Sequence, residues 1–246
     1  MIRNTTITLV LPCRNEEDAI KHMLESMPKE IDEVIVVDNM STDNSVAVAK
    51  KLKARVLQES RAHNGIGYGY ALSCGIKAAT SDIIVCMDGD GSYPVGKIKE
   101  ITTFLMSKKY DFISCNRLPV LNPKKMSVIR MFGVRILNLF INILYGYPIR
   151  DSLTGMWVFK RETIPSLSLF EGGWNFSPEI KLSAITNKKI RFTEYHIPYQ
   201  DRELDQSKQV IYKTGTEHFI FLFTWKLKQF KMPFFIRRAV SLLEVD

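Results

Sequence analysis

Three short runs, TITLVLP (6–12), EVIVVDN (33–39) and DIIVCMD (82–88), are apolar almost end to end and rich in β-branched residues. Each stops at a proline or a carboxylate. Strands that are apolar on both faces belong to a sheet covered on both sides. Between them the chain changes to helical spacing, as in NEEDAIKHMLESM, where Ala19, Ile20, Met23, Leu24 and Met27 recur on one face. STDNSVAVAKKL follows the second run behind a Ser41 or Thr42 cap, ARVLQE reads as another strand, and GIGYGYALSCGIKAA as a glycine-led helix. VGKIKEITTFLMS and YDFISCNR continue the alternation as helix and strand. This pattern predicts an α/β fold with a mostly parallel central sheet and helices on both faces. Ligands of such sheets bind at the carboxyl ends of the strands, which is where Pro12, Arg14, Asp38, Asn39, Asp88, Asp90 and Arg117 fall.

Asp88 and Asp90 stand one glycine apart in IIVCMDGDGSYP (83–94). Two carboxylates so close repel one another unless something positive lies between them. A plain polar turn explains many such pairs. Here four strands deliver polar residues to the same edge, and a tight turn with Gly89 and Gly91 can also present both carboxylates to one hard divalent cation. Mg²⁺ needs only one or two protein carboxylates when substrate phosphates and water complete its shell. Asp38 can accept a hydrogen bond from a nucleobase N–H.

The net charge of +8 calls for an anionic partner, with nucleic acid, anionic lipid and phosphorylated small molecules all eligible. The basic residues are scattered and no nucleic-acid motif accompanies them, which argues against nucleic acid. Cys13, Cys74, Cys86 and Cys115 are widely spaced and read as small core residues in a reducing compartment. The opening MIRNTTITLVLPCRNEE does not read as a signal peptide, its apolar stretch being cut by Pro12, Arg14 and two glutamates. No run reaches the ~20 apolar residues of a spanning helix, and ILNLFINILYGYPI (136–149) comes nearest. A soluble or peripheral protein is expected.

Beyond residue 120, MSVIRMFGVRILNLFINILYGYP reads as a helix with a narrow polar stripe through Arg135, Asn138 and Asn142. It suits a core helix, or one lying in a membrane interface. WKLKQFKMPFFIRR (225–238) has five basic residues, several aromatics and no acid, as in a solvated basic face or a contact with anionic lipid.

Taken in order, seven segments resemble the inverting family 2 GT-A glycosyltransferases, most closely the dolichyl- or polyprenyl-phosphate mannose and glucose synthase branch. They are LVLPCRNEE, EVIVVDNMSTDNS, MDGDGSYP, SCNR, DSLTGMWVFKRE, WNFSPEIKLSAI and IPYQDRELDQSK, spread over roughly residues 5–220. The resemblance implies a Rossmann-like GT-A domain over 1–220, with a basic-aromatic helical tail over 221–246 and amphipathic helices at the C-terminal end. It implies that Pro12, Arg14, Glu16, Asp38 and Asn39 frame a nucleoside. Asp88, Gly89 and Asp90 would meet the diphosphate of a GDP- or UDP-hexose, the two aspartates holding Mg²⁺ or Mn²⁺. Arg117, Arg202 and Lys208 would face phosphates, with Arg117 towards the acceptor and, with Asp90, catalytic. Thr154, Gly155 and Glu179 would lie near the transferred sugar. This chain departs from the family pattern at Asn39 (a second aspartate elsewhere), at Ser92 (a glutamine elsewhere) and in QDRELDQSKQ, which has one extra residue and lacks a glycine.

A hydroxyl acceptor needs a general base, for which Glu179 or Asp151 would have to serve. A lipid monophosphate, with a second pKa of ~6, is mostly dianionic at neutral pH and can attack without one if cations hold it in line. Arg117 and Arg202 favour the phosphate, because the guanidinium fork matches phosphate oxygens. The expected activity is therefore transfer of a hexose, with inversion, to a polyprenyl or dolichyl phosphate by a peripheral protein on the cytoplasmic membrane face. The alternatives are a hydroxyl acceptor and, in another class, a non-catalytic membrane-binding module on the same fold. Two intact aspartates argue against the module.

Overall fold

The computed structural model describes residues 5–120, 128–198 and 211–229. Seven strands form one sheet in the order β3-β2-β1-β4-β6-β5-β7. They are β1 (Ile7–Cys13), β2 (Glu33–Asp38), β3 (Arg55–Gln58), β4 (Ile83–Cys86), β5 (Phe112–Asn116), β6 (Trp157–Lys160) and β7 (Phe192–His196). All pairings are parallel except those of β6, which runs antiparallel to both β4 and β5. The reversal matters for the site. It brings the start of β6, with Thr154 and Gly155 just before it, to the edge where the other strands end.

The helices are α1 (Glu17–Glu25), α2 (Ser45–Lys51), α3 (Tyr68–Ala78), α4 (Ile98–Ser107), α5 (Val128–Tyr145), α6 (Phe176–Thr186) and α7 (Ile211–Gln229). Every residue of β1 is buried, and its side chains alternate between two cores. Ile7, Leu9, Leu11 and Cys13 join Ile20, Met23, Ala49, Ile98 and Leu105 from α1, α2 and α4 on one face. Val10, Ile35, Val37 and Ile84 meet Leu72, Ile76, Phe176 and Ile180 from α3 and α6 on the other. Each buried aliphatic side chain of this kind contributes about 1.5–3 kcal/mol. Three cysteines sit inside these cores and all four are free thiols.

A third apolar cluster joins α5, α6 and α7 through Leu137, Ile141, Leu182, Phe221 and Leu222, with Phe140 edge-on to Phe219. α5 begins well before the 136–149 run marked in the sequence. At 18 residues it is long and apolar enough, by length and composition, to cross a membrane, and 22% of it is buried. Its asparagines hold the turn that follows the helix, Asn138 buried and Asn142 half-buried. Asn138 donates to the Arg150 carbonyl and accepts from the Ser152 amide (2.9 Å), and Asn142 accepts from the Ile149 amide (2.8 Å). The exposed face carries Ile129, Phe132, Ile136, Leu139 and Ile143. The boundary drawn at residue 220 falls inside α7, and the tail from residue 230 lies outside the described residues.

Candidate active site at the carboxyl edge of the sheet

A cavity of about 390 Å³ opens at the carboxyl ends of β1, β2 and β4. Pro12, Arg14 and Glu16 line it from the β1 end, Asn39 from the β2 end, and Asp88, Gly89 and Asp90 from the β4 end. The loops after β1 and β2 are laced together. Asn15 donates its amide to Ser41 Oγ and accepts from the Thr42 amide, and the Glu16 amide donates to Ser45 Oγ. Asn39 donates to the Glu59 and Arg61 carbonyls at 2.6 and 3.1 Å. An aspartate there has no hydrogen to offer those carbonyls, so the departure at Asn39 fixes the segment leading to the 65–66 wall. Arg14 donates to the Gly65 carbonyl at 2.6 Å and holds that wall over the cavity.

The two aspartates are positioned differently. Asp88 Oδ1 accepts from the Tyr68 hydroxyl at 2.8 Å. Burial, and then the Asp88 charge, push the Tyr68 phenol well above its ordinary pKa, so it stays a donor. Asp90 is buried, and its Oδ1 accepts from both the amide and the hydroxyl of Ser92. The departure at Ser92 therefore orients Asp90. Of the two glycines in the turn, Gly91 alone has positive φ, at 75°. Gly89 is required for clearance, since a Cβ there would stand 2.9 Å from both Glu16 Oε2 and the Pro12 carbonyl.

Behind the wall lies a layer of buried polar groups. A Cβ on Gly155 would stand 2.5 Å from Asp88 Oδ1, so this glycine lets the β6 lead-in close on the carboxylate. Gly155 donates its amide to the Tyr93 hydroxyl at 2.6 Å. The Thr154 carbonyl accepts from Lys181 Nζ and from Ser177 Oγ, both at 2.9 Å. Lys181 is fully buried, and desolvation lowers its pKa to about 7. Arg117 forms a bidentate pair with Asp151, Nε to Oδ2 at 2.7 Å and Nη2 to Oδ1 at 2.9 Å. Burial works against the Asp151 charge, but the guanidinium holds its carboxyl below the usual range.

Pro12, Arg14, Glu16, Asn39, Asp88, Gly89 and Asp90 thus share one cavity wall, while Asp38, Arg117, Thr154 and Gly155 lie behind or beside it. Asp38 is buried and accepts from the Ser41 amide. Glu179 is elsewhere. It accepts from the Phe170 and Glu171 amides and lines a separate hollow with Ser168, Asn187 and Lys228. Its helix turns it towards the 170–171 loop, and burial raises its pKa to about 8. Arg202 and Lys208 lie outside the described residues. The sequence reading missed several residues that also line the wall, among them Tyr68, Leu153, Trp174, Ser177 and His218. Tyr68 had a signal in its place at the start of a glycine-led helix, whereas His218 had none, being one imidazole in the apolar run of α7.

The donor set of Asp88 and Asp90 suits Mg²⁺ or Mn²⁺: two hard oxygen ligands on the cavity wall, with room made for one of them by Gly155. Among the described residues no cluster of three or more His, Cys, Asp or Glu side chains forms a closed metal cage.

The seven-stranded, mostly parallel sheet with helices on both faces is a GT-A fold. The chain belongs to glycosyl transferase family 2, whose model matches residues 8–166. An uncharacterized glycosyltransferase of Mycobacterium tuberculosis (strain ATCC 25618 / H37Rv) is 30% identical over 202 residues, covering 82% of this chain and 88% of the relative. A dolichyl-phosphate hexose transferase of Haloferax volcanii is 25% identical over 202 residues, 80% of this chain and 83% of the relative. The fold matches the crystal structure of glucosyl-3-phosphoglycerate synthase from Mycobacterium tuberculosis in complex with Mn²⁺, uridine diphosphate and phosphoglyceric acid. The TM-score is 0.70 at 20% identity, over 92% of this chain and 79% of that one.

Proposed function

We propose that this glycosyltransferase moves a hexose from a nucleotide-diphosphate sugar to the phosphate of a polyprenyl or dolichyl phosphate, with inversion, at the cytoplasmic face of a membrane. The observation that carries the choice of acceptor is the fate of the two carboxylates a hydroxyl acceptor would need. Asp151 is fully buried and engaged by Arg117, and Glu179 lies outside the cavity on two backbone amides. Of the carboxylates on the wall, Asp88 and Asp90 are assigned to the metal and Glu16 stands at the nucleoside end. A phosphate dianion needs no base, which suits a site so furnished.

In this reading Pro12, Arg14, Glu16 and Asn39 seat the nucleoside. Asp88 and Asp90 would hold Mg²⁺ or Mn²⁺, which when bound would supply positive charge against a departing diphosphate. A phosphate oxygen of the acceptor attacks the anomeric carbon, the bond from that carbon to the diphosphate oxygen breaks, and the nucleoside diphosphate leaves with the electron pair. Arg117, paired with Asp151 just beyond the end of β5, is assigned in this reading to the acceptor phosphate, whose oxygens its guanidinium fork matches. The dolichyl-phosphate relative supports a lipid acceptor, and the apolar outer face of α5 supports a membrane contact.

The test is transfer of radiolabel by purified protein with Mg²⁺ or Mn²⁺, from GDP-mannose, UDP-glucose or UDP-N-acetylglucosamine to a short polyprenyl phosphate. Label in the organic phase with one donor supports the reading. Label confined to the aqueous phase with every donor, alongside measurable nucleotide binding, moves the acceptor to a hydroxyl.

A further inference from the structure

His218 is the one imidazole on the wall of the donor cavity among the described residues. It projects from α7 and is 3% exposed. Its Nδ1 meets Asn175 Oδ1 at 2.7 Å, and the Asn175 carbonyl in turn accepts from the Glu179 amide at the start of α6. The ring is thereby fixed by a residue that is itself tied to a helix terminus. With Nδ1 donating to an amide oxygen, Nε2 carries the lone pair. Nε2 has no partner among the described residues. Burial, and then the neighbouring Lys181 charge, depress the pKa to about 3, so the imidazole stays neutral at any ordinary working pH.

The sheet order says which part of a donor lies opposite it. β2 and β1 stand on one side of β4, and β6 on the other. Pro12, Arg14 and Asn39 line the cavity from the β1 and β2 side. Leu153, Trp174, Ser177 and His218 line it from the side of the β6 lead-in, α6 and α7. Asp88 and Asp90 lie between the two groups, at the end of β4. A nucleotide sugar with its nucleoside over β1 and β2 and its diphosphate at the aspartates therefore directs its hexose towards His218.

Resting on the donor reading above, we propose that His218 is a specificity-determining residue: its Nε2 exchanges a hydrogen bond with one hydroxyl of the transferred hexose. A neutral imidazole is suited to this, because a hydroxyl can donate to its lone pair. A wall group built to meet a hydroxyl discriminates against a sugar lacking it or presenting it on the other face. Epimeric hexoses differ in that way alone, so a fixed partner on this wall gives the enzyme a means of telling them apart.

The experiment is calorimetric titration of the full chain, with Mn²⁺ present, by UDP, GDP, UDP-glucose and GDP-mannose, for the natural protein, His218→Phe and His218→Gln. Loss of one hydrogen bond is expected to weaken His218→Phe for the sugar nucleotide about tenfold, with affinity for the matching nucleoside diphosphate unchanged. His218→Gln, which keeps a hydrogen-bonding head, restores most of the loss and checks that α7 remains docked. Donors lacking single hydroxyls complete the test. Removal of the contacted hydroxyl costs the natural protein about tenfold and costs His218→Phe nothing further. Equal weakening for nucleoside diphosphate and nucleotide sugar, or equal sensitivity of both proteins to every deoxy donor, overturns the inference. Natural protein that binds UDP or GDP but gains nothing from the attached sugar overturns it too, while leaving the nucleotide site standing. Binding of neither nucleotide overturns the donor reading along with it.

Discussion

Helices α1 and α5 bury their surfaces by opposite rules. α1 puts Ala19, Ile20 and Met23 inside and leaves Asp18, Lys21, His22 and Glu25 in water, the usual arrangement of a helix covering a sheet. α5 buries Asn138 beside Val134, Leu137 and Ile141, and exposes Ile129, Phe132, Leu139 and Ile143, each more than half accessible. The first helix has its polar face chosen by water and its apolar face by the sheet. The second has its polar face chosen by a turn it must hold, residues 149–152, and its apolar face is left without a protein partner among the described residues. The same contrast separates the two ends of the site. The end lined by Pro12, Arg14, Asn39, Asp88 and Asp90 is built on sheet and covering helices, and its residues come from strand termini; the other end depends on α6 and α7.

The largest expected effect falls at the strand-built end. Asp88→Asn keeps an oxygen for the Tyr68 hydroxyl and removes the charge that would hold the cation. Turnover should fall on the order of 10²–10³-fold, as for loss of a preorganised electrostatic contact at the reacting group, with the melting temperature little changed. Retained turnover would detach the D-x-D turn from catalysis and revive the non-catalytic module.

Next comes the outer face of α5. Phe132→Ser with Ile143→Ser removes two apolar side chains each worth about 1.5 kcal/mol or more in a lipid contact. Binding to anionic vesicles, followed by co-sedimentation, should weaken roughly a hundredfold, while thermal stability stays put because both side chains are exposed among the described residues. If stability falls and vesicle binding does not, this face is covered by protein and the comparison with α1 dissolves. The inner face of the same helix gives the converse test. Asn138→Leu makes α5 more apolar, yet it strips the buried Ser152 amide of its acceptor. The protein should lose about 2 kcal/mol in urea unfolding. A gain in stability would mean that the 149–152 turn does not depend on α5.

The strand-built end was legible in the sequence because buried parallel strands announce themselves: an apolar run ends where the sheet ends, and the next polar residue must lie at its edge. Pro12, Arg14, Asn39, Asp88 and Asp90 were found in that way. β6 could not be oriented from its own residues, since WVFK serves an antiparallel strand as well as a parallel one, and with it went the reason Gly155 is a glycine. The stripe of Arg135, Asn138 and Asn142 was visible, but helical spacing cannot say whether a polar stripe faces water or a turn. Glu179 and His218 show the same limit on α6 and α7. Both sit in mostly apolar segments, and which one faces the cavity depends on packing between elements distant in the chain. The resemblance to a family supplied the glutamate and could not supply its direction.

The smallest effect sharpens that last point. Glu179 titrates in the folded protein at about 8, against an ordinary 4.5. Between those values the folded state holds more protons than the unfolded one, so its contribution is fully present below pH 4.5 and is lost as the pH rises through 8. His218, depressed to about 3, acts oppositely, adding stability as the pH rises from 3 to 6.5. Lys181, depressed to about 7, does the same from 7 to 10.5. In Glu179→Gln the amide oxygen can still accept from the Phe170 and Glu171 amides, and the group no longer titrates. The decline in urea midpoint between pH 6.5 and 8 should flatten in this variant, and transfer activity at pH 7 should change less than in Asp88→Asn. A variant that keeps its pH slope but loses transfer would return Glu179 to the reaction, and would require the 170–171 loop to release it when substrate binds.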